Sequence, residues 1–346
     1  MNADHTTSST RPGLLPTLNR AVNAFGVHSL FHAMDAFGKM SLRDDEAEDV
    51  SDVRVVRDLA YGEHAAQRLD VWMPTEAAPA EGRPCAMFVH GGGFTTMSRR
   101  THWAFARVLA RRGWVVFSID YRLAPEHAFP TPVQDAALAM EWVVANAARY
   151  GADTSRFALY GESAGANLCV SLAIACSYKR EESWARRLYD VGVVPKAVLP
   201  MCGLLQVSDP ERYARMASVP KLHAKVLADA CAAYLPEAPT MATELADPLL
   251  VLERGEQPER PLPSFFAAVG TKDVLRDDTQ RLEHALRRLK VDVRSRYYRG
   301  EGHSFMAFMW KEQAQRFWRD ALTFLDAHVA PAEVVQTAQR RDRMGA

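Results

Sequence analysis

Hydrophobic residues alternate between two patterns through the central part of the chain. Short apolar runs at residues 86–89 and 114–119 predict buried strands. A longer stretch at residues 131–150 has helical spacing, with prolines at its start and a glycine just after its end. From residue 87 to residue 199 the order is strand, helix, strand, helix, which predicts a parallel sheet covered by helices on both faces.

The alternation stops after this region and returns near the C-terminal end. Residues 208–235 have no strand pattern and favour helix, whereas strand patterns return at residues 265–269 and 293–298. We therefore predict a helical insertion between the sixth and seventh strands. Its natural place is above the strand ends, where loops form the site in open α/β sheets. The other predicted elements are strands at residues 53–57, 69–72, 156–159 and 197–199 and helices at residues 14–40, 101–112, 167–178, 277–289 and 305–328.

These elements divide the chain into a core and two cap segments. The N-terminal helix has amphipathic spacing, and together with the insertion it could form a lid. The predicted segments are N-terminal cap helices at residues 1–48, an α/β core at residues 49–204 and 246–330, a helical cap insertion at residues 205–245 and a flexible tail at residues 331–346.

Composition and charge limit the class of protein. The 346 residues are 48% hydrophobic and 24% charged, as in a globular protein with a substantial core. Lys plus Arg and Asp plus Glu both number 42, which argues against a nucleic-acid partner because phosphate neutralisation needs a basic surplus. No apolar run reaches the roughly 18 residues of a membrane span, so we expect no stable membrane insertion. Residues 1–12 contain no apolar signal core, and a cytoplasmic location is the expectation.

Cysteine and histidine spacing gives no sign of a metal site. The five cysteines are scattered and form no C-x-x-C pair, so we expect buried, reduced thiols. His28 and His32 lie four positions apart, but the chain has no H-E-x-x-H pattern. We therefore predict no bound metal.

Ser163 is the predicted nucleophile. It lies in a G-x-S-x-G pattern at residues 161–165, between a predicted strand and a predicted helix. A sharp turn at this position exposes the serine oxygen at the end of the sheet, and Gly161 and Gly165 let the strand and the helix close around it. The N-terminus of the helix directs free N–H groups toward a reacting carbonyl. The alternative is a serine that only caps a helix.

The remaining parts of a catalytic triad follow in the expected order. Asp273 follows the next-to-last predicted strand and His303 follows the last, which gives the chain order Ser, Asp, His of α/β-hydrolases. In these roles His303 takes the proton of Ser163 and later gives it to the leaving group. Asp273 orients the imidazole and stabilises its charged form.

A glycine-rich loop supplies the predicted oxyanion hole. The sequence H-G-G-G at residues 90–93 follows the third strand, and its bare backbone lets N–H groups approach a substrate oxygen. We assign the donors to the backbone N–H groups of Gly92, Gly93 and Ala164. On the alternative interpretation, this loop is only a turn.

Three other aspartates and four other histidines compete for the acid and the base. They are Asp247, Asp277 and Asp278, and His102, His127, His284 and His328. The adjacent pair of aspartates suits the cap of the next helix. Two of the histidines precede the serine, out of order for the base, and the other two lie on predicted helices near the surface.

Further sequence blocks carry a family resemblance. They are H-G-G-G-F at residues 90–94, D-Y-R-L-A-P-E-H at 120–127, F-P at 129–130 with Asp135, G-E-S-A-G at 161–165, D-P-L at 247–249, Asp273 with Leu275 and Asp277, and G-H-S-F at 302–305. Over about residues 53–328 the chain thus resembles the hormone-sensitive-lipase family of α/β-hydrolases, in its bacterial esterase branch. Residues 120–127 make the likeness specific, because triad chemistry alone does not need them. Glu162 departs from the branch, in which aspartate is commoner, but it keeps the charge.

The resemblance implies an α/β-hydrolase fold with an eight-stranded, mostly parallel sheet and a helical cap. It also implies no cofactor, a small-molecule ester as partner, and a carboxylesterase that hydrolyses short- to medium-chain acyl esters. On physical grounds we expect Arg122 and Glu126 to hold the loop beneath the site. Exposed edge strands would allow a homodimer.

Other functions fit the same residues. An amidase, a lactonase or a deacetylase would use the same triad, because specificity depends on lid and pocket residues. A lipase would use the apolar cap helices to engage lipid. A ligand-binding module that lost catalysis is disfavoured because His303, which only chemistry requires, is retained.

Overall fold

The computed structural model describes residues 53–217, 219–235 and 241–329. These residues form one eight-stranded sheet in the order β1-β2-β4-β3-β5-β6-β7-β8. The strands are β1 (Val53–Ala60), β2 (Arg68–Pro74), β3 (Arg83–Val89), β4 (Val115–Ile119), β5 (Ala152–Glu162), β6 (Ala197–Met201), β7 (Ser264–Gly270) and β8 (Val293–Tyr298). The β1–β2 and β2–β4 pairs are antiparallel, and all other pairs are parallel.

Helices cover both faces of this sheet. They are α1 (Trp103–Ala110), α2 (Thr131–Asn146), α3 (Ala164–Ser177), α4 (Ser183–Val191), α5 (Glu211–Arg215), α6 (Lys221–Tyr234), α7 (Pro248–Glu253), α8 (Arg276–Arg288) and α9 (Glu312–Val329). Short 3₁₀ turns lie at Ala147–Tyr150, Met241–Ala246 and Phe305–Ala307. The architecture confirms the predicted fold class. Within the described ranges, every helix is too short or too polar to cross a bilayer.

The core consists of two apolar layers, one on each face of the sheet. Alternate residues of β5 enter different layers: Phe157 and Leu159 pack in one, and Ala158 and Tyr160 pack in the other. Central parallel strands are buried on both faces, which explains why their sequences are continuously apolar. Burial of the central strands fixes the position of the loops at their carboxyl ends.

Helix α3 packs closely on the sheet at the edge where Ser163 lies. All its side chains are buried, and many of its residues are glycine, alanine or serine. A Cβ atom added to Gly165 would lie 2.1 Å from the carbonyl oxygen of Val89, and one added to Gly161 would lie 2.4 Å from the carbonyl oxygen of Gly165. The two glycines are therefore required for the close packing of the helix on β3 and β5.

The chain between β6 and β7 contains helices α5, α6 and α7. Arg212 of α5 binds the carboxylate of Asp278 on α8, with 2.5 Å between Nη2 and Oδ1. Asp278 is fully buried and also accepts the backbone N–H of Leu205. The interpretation of Asp278 as a helix cap was therefore wrong, because its carboxylate anchors the inserted segment. The predictions for residues 1–48 and 331–346 lie outside the described residues.

Two local features differ from the sequence-based prediction. Residues 305–328 do not form one helix: a 3₁₀ turn at Phe305–Ala307 precedes α9. The carbonyl of Met306 accepts the indole N–H of Trp318 at 3.1 Å, so this carbonyl bonds to a side chain and not to the backbone of a continuing helix.

Glu126 is exposed and makes no hydrogen bond or ion pair with the described residues, so only Arg122 holds the loop as expected.

Candidate active site

Ser163 occupies a sharp turn between β5 and α3. Its φ of 54° and ψ of −114° lie in a region that serine rarely adopts, and such strain persists only where the surroundings hold the backbone. Here the Ser163 N–H donates to the carbonyl of Met201 at 2.9 Å, and the Ser163 carbonyl accepts the N–H of Leu204 at 3.2 Å. The side chain makes no capping hydrogen bond to α3, which excludes the alternative of a simple helix cap.

The structure brings together Ser163, Asp273 and His303 from three loops at the carboxyl edge of the sheet. His303 Nε2 lies 3.1 Å from Ser163 Oγ. His303 Nδ1 lies 3.0 Å from Oδ2 and 3.2 Å from Oδ1 of Asp273. A carboxylate can only accept, so Nδ1 carries the proton and Nε2 presents its lone pair to the serine hydroxyl. Asp273 is itself held by the backbone N–H of Leu275 at 2.9 Å.

The carboxylate beside His303 raises the pKa of its imidazole. Burial lowers the pKa of His303, but the carboxylate of Asp273 outweighs this effect, and the pKa is raised well above its ordinary 6.5. The imidazole side chain is 35% exposed, so substrate and solvent can reach it. Such an arrangement can stabilise an imidazolium ion at this position.

The loop after β3 lies beside the turn of Ser163. The carbonyl of Gly92 accepts the N–H groups of Thr95 at 3.1 Å and Thr96 at 3.2 Å, which closes a tight turn. Gly92 has a φ of 104° and Gly93 a φ of 59°. Within the described part of the chain, the backbone N–H groups of Gly92, Gly93 and Ala164 have no acceptor. These three predicted donors are thus available to an oxygen of a ligand.

A buried histidine supports this loop. The ring of His90 stacks on Tyr121 with 4.4 Å between centroids, and its Nδ1–H donates to the carbonyl of Gly91 at 2.7 Å. The Tyr121 hydroxyl donates to the His90 carbonyl at 3.0 Å. Burial, assisted by the nearby His102, lowers the pKa of His90 to about 3, so the ring stays neutral. His90 therefore shapes the loop and is not a second base.

The sequence-based prediction missed a buried polar cluster beneath the triad. Glu162, 1% exposed, accepts the hydroxyl of Ser304 on Oε1. The same oxygen lies 3.4 Å from His303 Nε2 and 3.7 Å from Cys202 Sγ, and Oε2 lies 3.7 Å from Nε2 of His102. Burial raises the pKa of Glu162, but its contact with His102 and the positive charge of His303 lower the pKa overall. Glu162 and Ser304 directly adjoin Ser163 and His303 in the sequence, but no sequence pattern shows that they contact each other.

Because it is buried, Cys202 is not suited to act as a nucleophile. Its side chain is fully buried, and burial raises the pKa of the thiol to about 11. At neutral pH it is therefore a protonated thiol. Glu162, Cys202 and His303 are nevertheless the one group of at least three metal-ligating side chains found in the described ranges, with ligand atoms within 4.8 Å of one another.

The other aspartates and histidines considered for the acid and the base contact other residues or lie elsewhere. Asp247 accepts the backbone N–H groups of Val207 and Ser208, and Asp277 lies in the first turn of α8. His127 packs against His64. His284 is exposed on α8, and His328 contacts Asp292 at 2.7 Å. His102, which also competed for the role of base, contacts Glu162.

Comparison with known proteins agrees with this architecture. The model of the α/β-hydrolase fold family matches residues 86–307. Esterase LipI of Mycobacterium tuberculosis is 30% identical over 304 residues, which cover 83% of this chain and 86% of that protein. Hormone-sensitive lipase of Mus musculus is 31% identical over 184 residues, or 53% of this chain and 23% of the lipase. An esterase of Pyrobaculum calidifontis superimposes with a TM-score of 0.70 at 25% identity, covering 89% of this chain and 94% of that one.

Some of the relatives match only in part. The alignment with esterase LipC of Mycobacterium tuberculosis, at 41% identity, covers 32% of this chain and 28% of that protein. LipI, in contrast, aligns over most of both chains. The chain therefore belongs to the α/β-hydrolase fold family, in the group of hormone-sensitive lipase and the mycobacterial esterases, and is a carboxylic ester hydrolase.

Proposed function

We propose that the protein is a serine carboxylesterase that hydrolyses short- to medium-chain acyl esters through an acyl-enzyme. The observation that carries the proposal is the line of contacts from Asp273 through His303 to Ser163, with 3.0 Å and 3.1 Å at its two hydrogen bonds. Both distances lie within the reach that proton transfer requires. The names of the esterase relatives support the same reaction.

In the first half of the reaction, Ser163 Oγ attacks the ester carbonyl carbon while its proton passes to His303 Nε2. The carbonyl π electrons move to oxygen, and the oxyanion accepts hydrogen bonds from the N–H groups of Gly92, Gly93 and Ala164. The tetrahedral intermediate then collapses. The C–O bond to the alcohol breaks, His303 protonates the alcohol, and an acyl-serine remains.

In the second half, water replaces the alcohol. His303 takes one proton from the water, whose oxygen attacks the acyl carbon, and the same three N–H groups hold the second oxyanion. Collapse breaks the bond to Ser163 Oγ, which recovers its proton from His303. The carboxylic acid leaves, and Asp273 stays ionised throughout.

We further propose that the segment between β6 and β7 acts as a cap that limits the acyl chain. Helix α6 lies close to the oxyanion loop, because a Cβ atom added to Gly93 would lie 3.1 Å from Cβ of Ala230. Phe94 of the same loop stacks on Tyr234, with 3.6 Å between centroids. A helix held this near the oxyanion loop leaves little room for a long acyl chain, which favours short and medium esters.

A panel of p-nitrophenyl esters with graded acyl length, run beside the matching anilides, tests the proposal. We expect the highest kcat/KM for short to medium acyl groups, much slower anilide cleavage, and loss of turnover in Ser163→Ala with the fold retained by circular dichroism. A burst of p-nitrophenol equal to the enzyme concentration would report the acyl-enzyme.

Other outcomes would favour other functions. Faster cleavage of anilides would indicate an amidase, and a jump in rate above the solubility limit of a long ester would indicate a lipase. Saturable binding without turnover would indicate a binding module. Substantial residual turnover in Ser163→Ala would remove Ser163 as the nucleophile.

A further inference from the structure

Cys202 lies beside Glu162 and His303, in a position that the proposed proton transfers do not use. Oε1 of Glu162 lies 3.4 Å from His303 Nε2 and 3.7 Å from Cys202 Sγ. All three ligand atoms lie within 4.8 Å of one another. In a tetrahedral zinc site with bonds of about 2.0 to 2.3 Å, neighbouring ligand atoms lie roughly 3.3 to 3.7 Å apart.

The fold fixes these side chains before any ion arrives. Cys202 follows β6 with a φ of 40°, and its N–H donates to the carbonyl of Ala268 at 2.7 Å. Glu162 ends β5 and is held by the hydroxyl of Ser304. Because the ligands come from three neighbouring loops of one sheet edge, binding needs little rearrangement of the backbone.

The hydrogen bond between His303 and Asp273 prepares the imidazole for a metal. The carboxylate accepts the Nδ1 proton at 3.0 Å, which leaves the lone pair on Nε2, 3.4 Å from Glu162 Oε1. A carboxylate behind the histidine is the usual arrangement of metal-bound imidazole, because it fixes the ring and raises its basicity. The side chain is 35% exposed, so an ion can enter from the active-site side.

We propose that Glu162, Cys202 and His303 form an inhibitory site for a thiophilic divalent cation such as Zn²⁺. The ion would bind Oε1, Sγ and Nε2, and the Cys202 thiol would release its proton to solvent as the Zn–S bond forms. Ser163 Oγ, 3.1 Å from Nε2, or a water completes four-fold coordination. Because the ion occupies the lone pair that accepts the serine proton, ester hydrolysis stops while zinc is bound.

The ligand types define which ions bind. A thiolate and an imidazole favour zinc, cadmium and cobalt, whereas magnesium and calcium prefer oxygen ligands only. Cys202 is the one proposed ligand that belongs to the metal site alone, since it has no part in the proposed proton transfers. It is also fully buried, which separates it from surface groups that bind zinc nonspecifically.

The test measures Zn²⁺ inhibition of ester hydrolysis by the purified full-length protein after chelator treatment. We expect saturable inhibition that EDTA reverses, one zinc bound per chain, and no effect of Mg²⁺ at the same concentration. Cys202→Ala should retain turnover but need about tenfold or more additional zinc for half-inhibition, because even groups outside the ligand set contribute that much to metal affinity. The matched control is Cys231→Ala, which removes another buried thiol, on α6, and should keep the wild-type sensitivity.

A spectroscopic measurement keeps the outcome independent of ester turnover. Co²⁺ added to the wild-type protein should give the near-ultraviolet charge-transfer absorption of a cobalt–thiolate bond, and Cys202→Ser should lack it. Equal zinc sensitivity of Cys202→Ala and the wild type, or a cobalt spectrum without a thiolate band, would overturn the site. If the protein binds cobalt through the thiolate but hydrolyses no ester, the metal site stands and the proposed function fails.

Discussion

His303 lies between two carboxylates. Asp273 contacts Nδ1 at 3.0 Å, and Glu162 lies 3.4 Å from Nε2, the nitrogen that also faces Ser163. The first carboxylate orients the ring, and the second adds negative charge on the side where the proton arrives. Both favour the imidazolium ion that forms during each half of the proposed reaction.

The raised pKa of His303 predicts a shifted pH profile. The base must be neutral to accept the serine proton, so activity is present above its pKa and is lost as the pH falls through it. We therefore expect the acidic limb of kcat/KM to have an apparent pKa above 6.5. Initial rates over about pH 5 to 9 would measure it, and a limb at or below the ordinary histidine value would contradict the assignment.

Replacement of Glu162 should move that limb. The positive charge of His303 lowers the pKa of Glu162, and because the interaction is mutual, the carboxylate favours protonated His303. Glu162→Gln keeps an oxygen for Ser304 but removes the charge, so the acidic limb should shift to lower pH. Glu283→Gln is the control, since this buried glutamate on α8 contacts Tyr297 and Arg287 and no residue of the triad. An unchanged limb in Glu162→Gln would show that its charge does not act on His303.

The sequence predicted the residues of the triad but not the residues beneath it. Ser163, Asp273 and His303 follow from local patterns, each next to a strand end. The contacts of Glu162 with Ser304 and Cys202 join three loops that are remote in sequence. No periodicity reports which way a buried side chain turns, so these contacts needed the structure.

At the scale of elements, the oxyanion loop depends on one backbone conformation. Gly92 has a φ of 104°, and a Cβ atom there would lie 2.2 Å from the carbonyl oxygen of Thr96. Gly92→Ala should shift the loop and misalign its N–H groups, so kcat should fall about a hundredfold or more while the fold persists. Steady-state kinetics and a thermal melt would check both.

Gly192→Ala provides the matched control for this variant. Gly192 also has a positive φ, 80°, but it ends α4, with Asp190 O, 4.0 Å away, as the nearest atom to an added Cβ. It should lose about 1 kcal/mol of stability and keep its kcat. Equal activity of the two variants would argue against the donor role of the loop.

Element types were more predictable than element ends. The predicted strand at residues 156–159 extends in the structure over Ala152–Glu162, because Ala152 and Asp153 pair with Arg83 and Pro84 of β3. A polar segment can complete a strand when a neighbouring backbone is in reach, and hydrophobic pattern does not record this. Helix α4 was not predicted, since only three of its nine residues, Trp184, Ala185 and Leu188, are buried.

At the scale of the whole molecule, one buried carboxylate on α2 joins this helix to the loop that precedes it and to the turn before β2. Asp135, 1% exposed, accepts hydrogen bonds from the Arg122 side chain at 2.7 and 2.8 Å, from the Arg122 N–H at 2.9 Å and from Gln67 Nε2 at 2.7 Å. Asp135→Ala leaves these donors without an acceptor. The free energy of unfolding should fall by about 3 kcal/mol, as measured by urea denaturation.

An exposed ion pair supplies the comparison for Asp135→Ala. Arg100 and Asp58 are 62% and 52% exposed at their side chains, so Arg100→Ala should change the free energy of unfolding by about 1 kcal/mol or less. Folded Asp135→Ala enzyme should keep its kcat, because Asp135 touches no residue of the triad. A loss of stability no larger than that of Arg100→Ala would refute a structural role for the pair.

The order of the strands has a consequence for the newly made polypeptide. Ser163 and His303 are 140 positions apart, and the histidine follows the edge strand β8, which pairs only with β7. At about 5 to 20 residues per second, a ribosome makes the serine some 7 to 28 seconds before the histidine. In the proposed mechanism, the nascent chain has an attacking group without a proton acceptor during that interval. Hydrolysis would then begin only after translation has passed β8, so the fold delays the reaction until all eight strands of the sheet have been made.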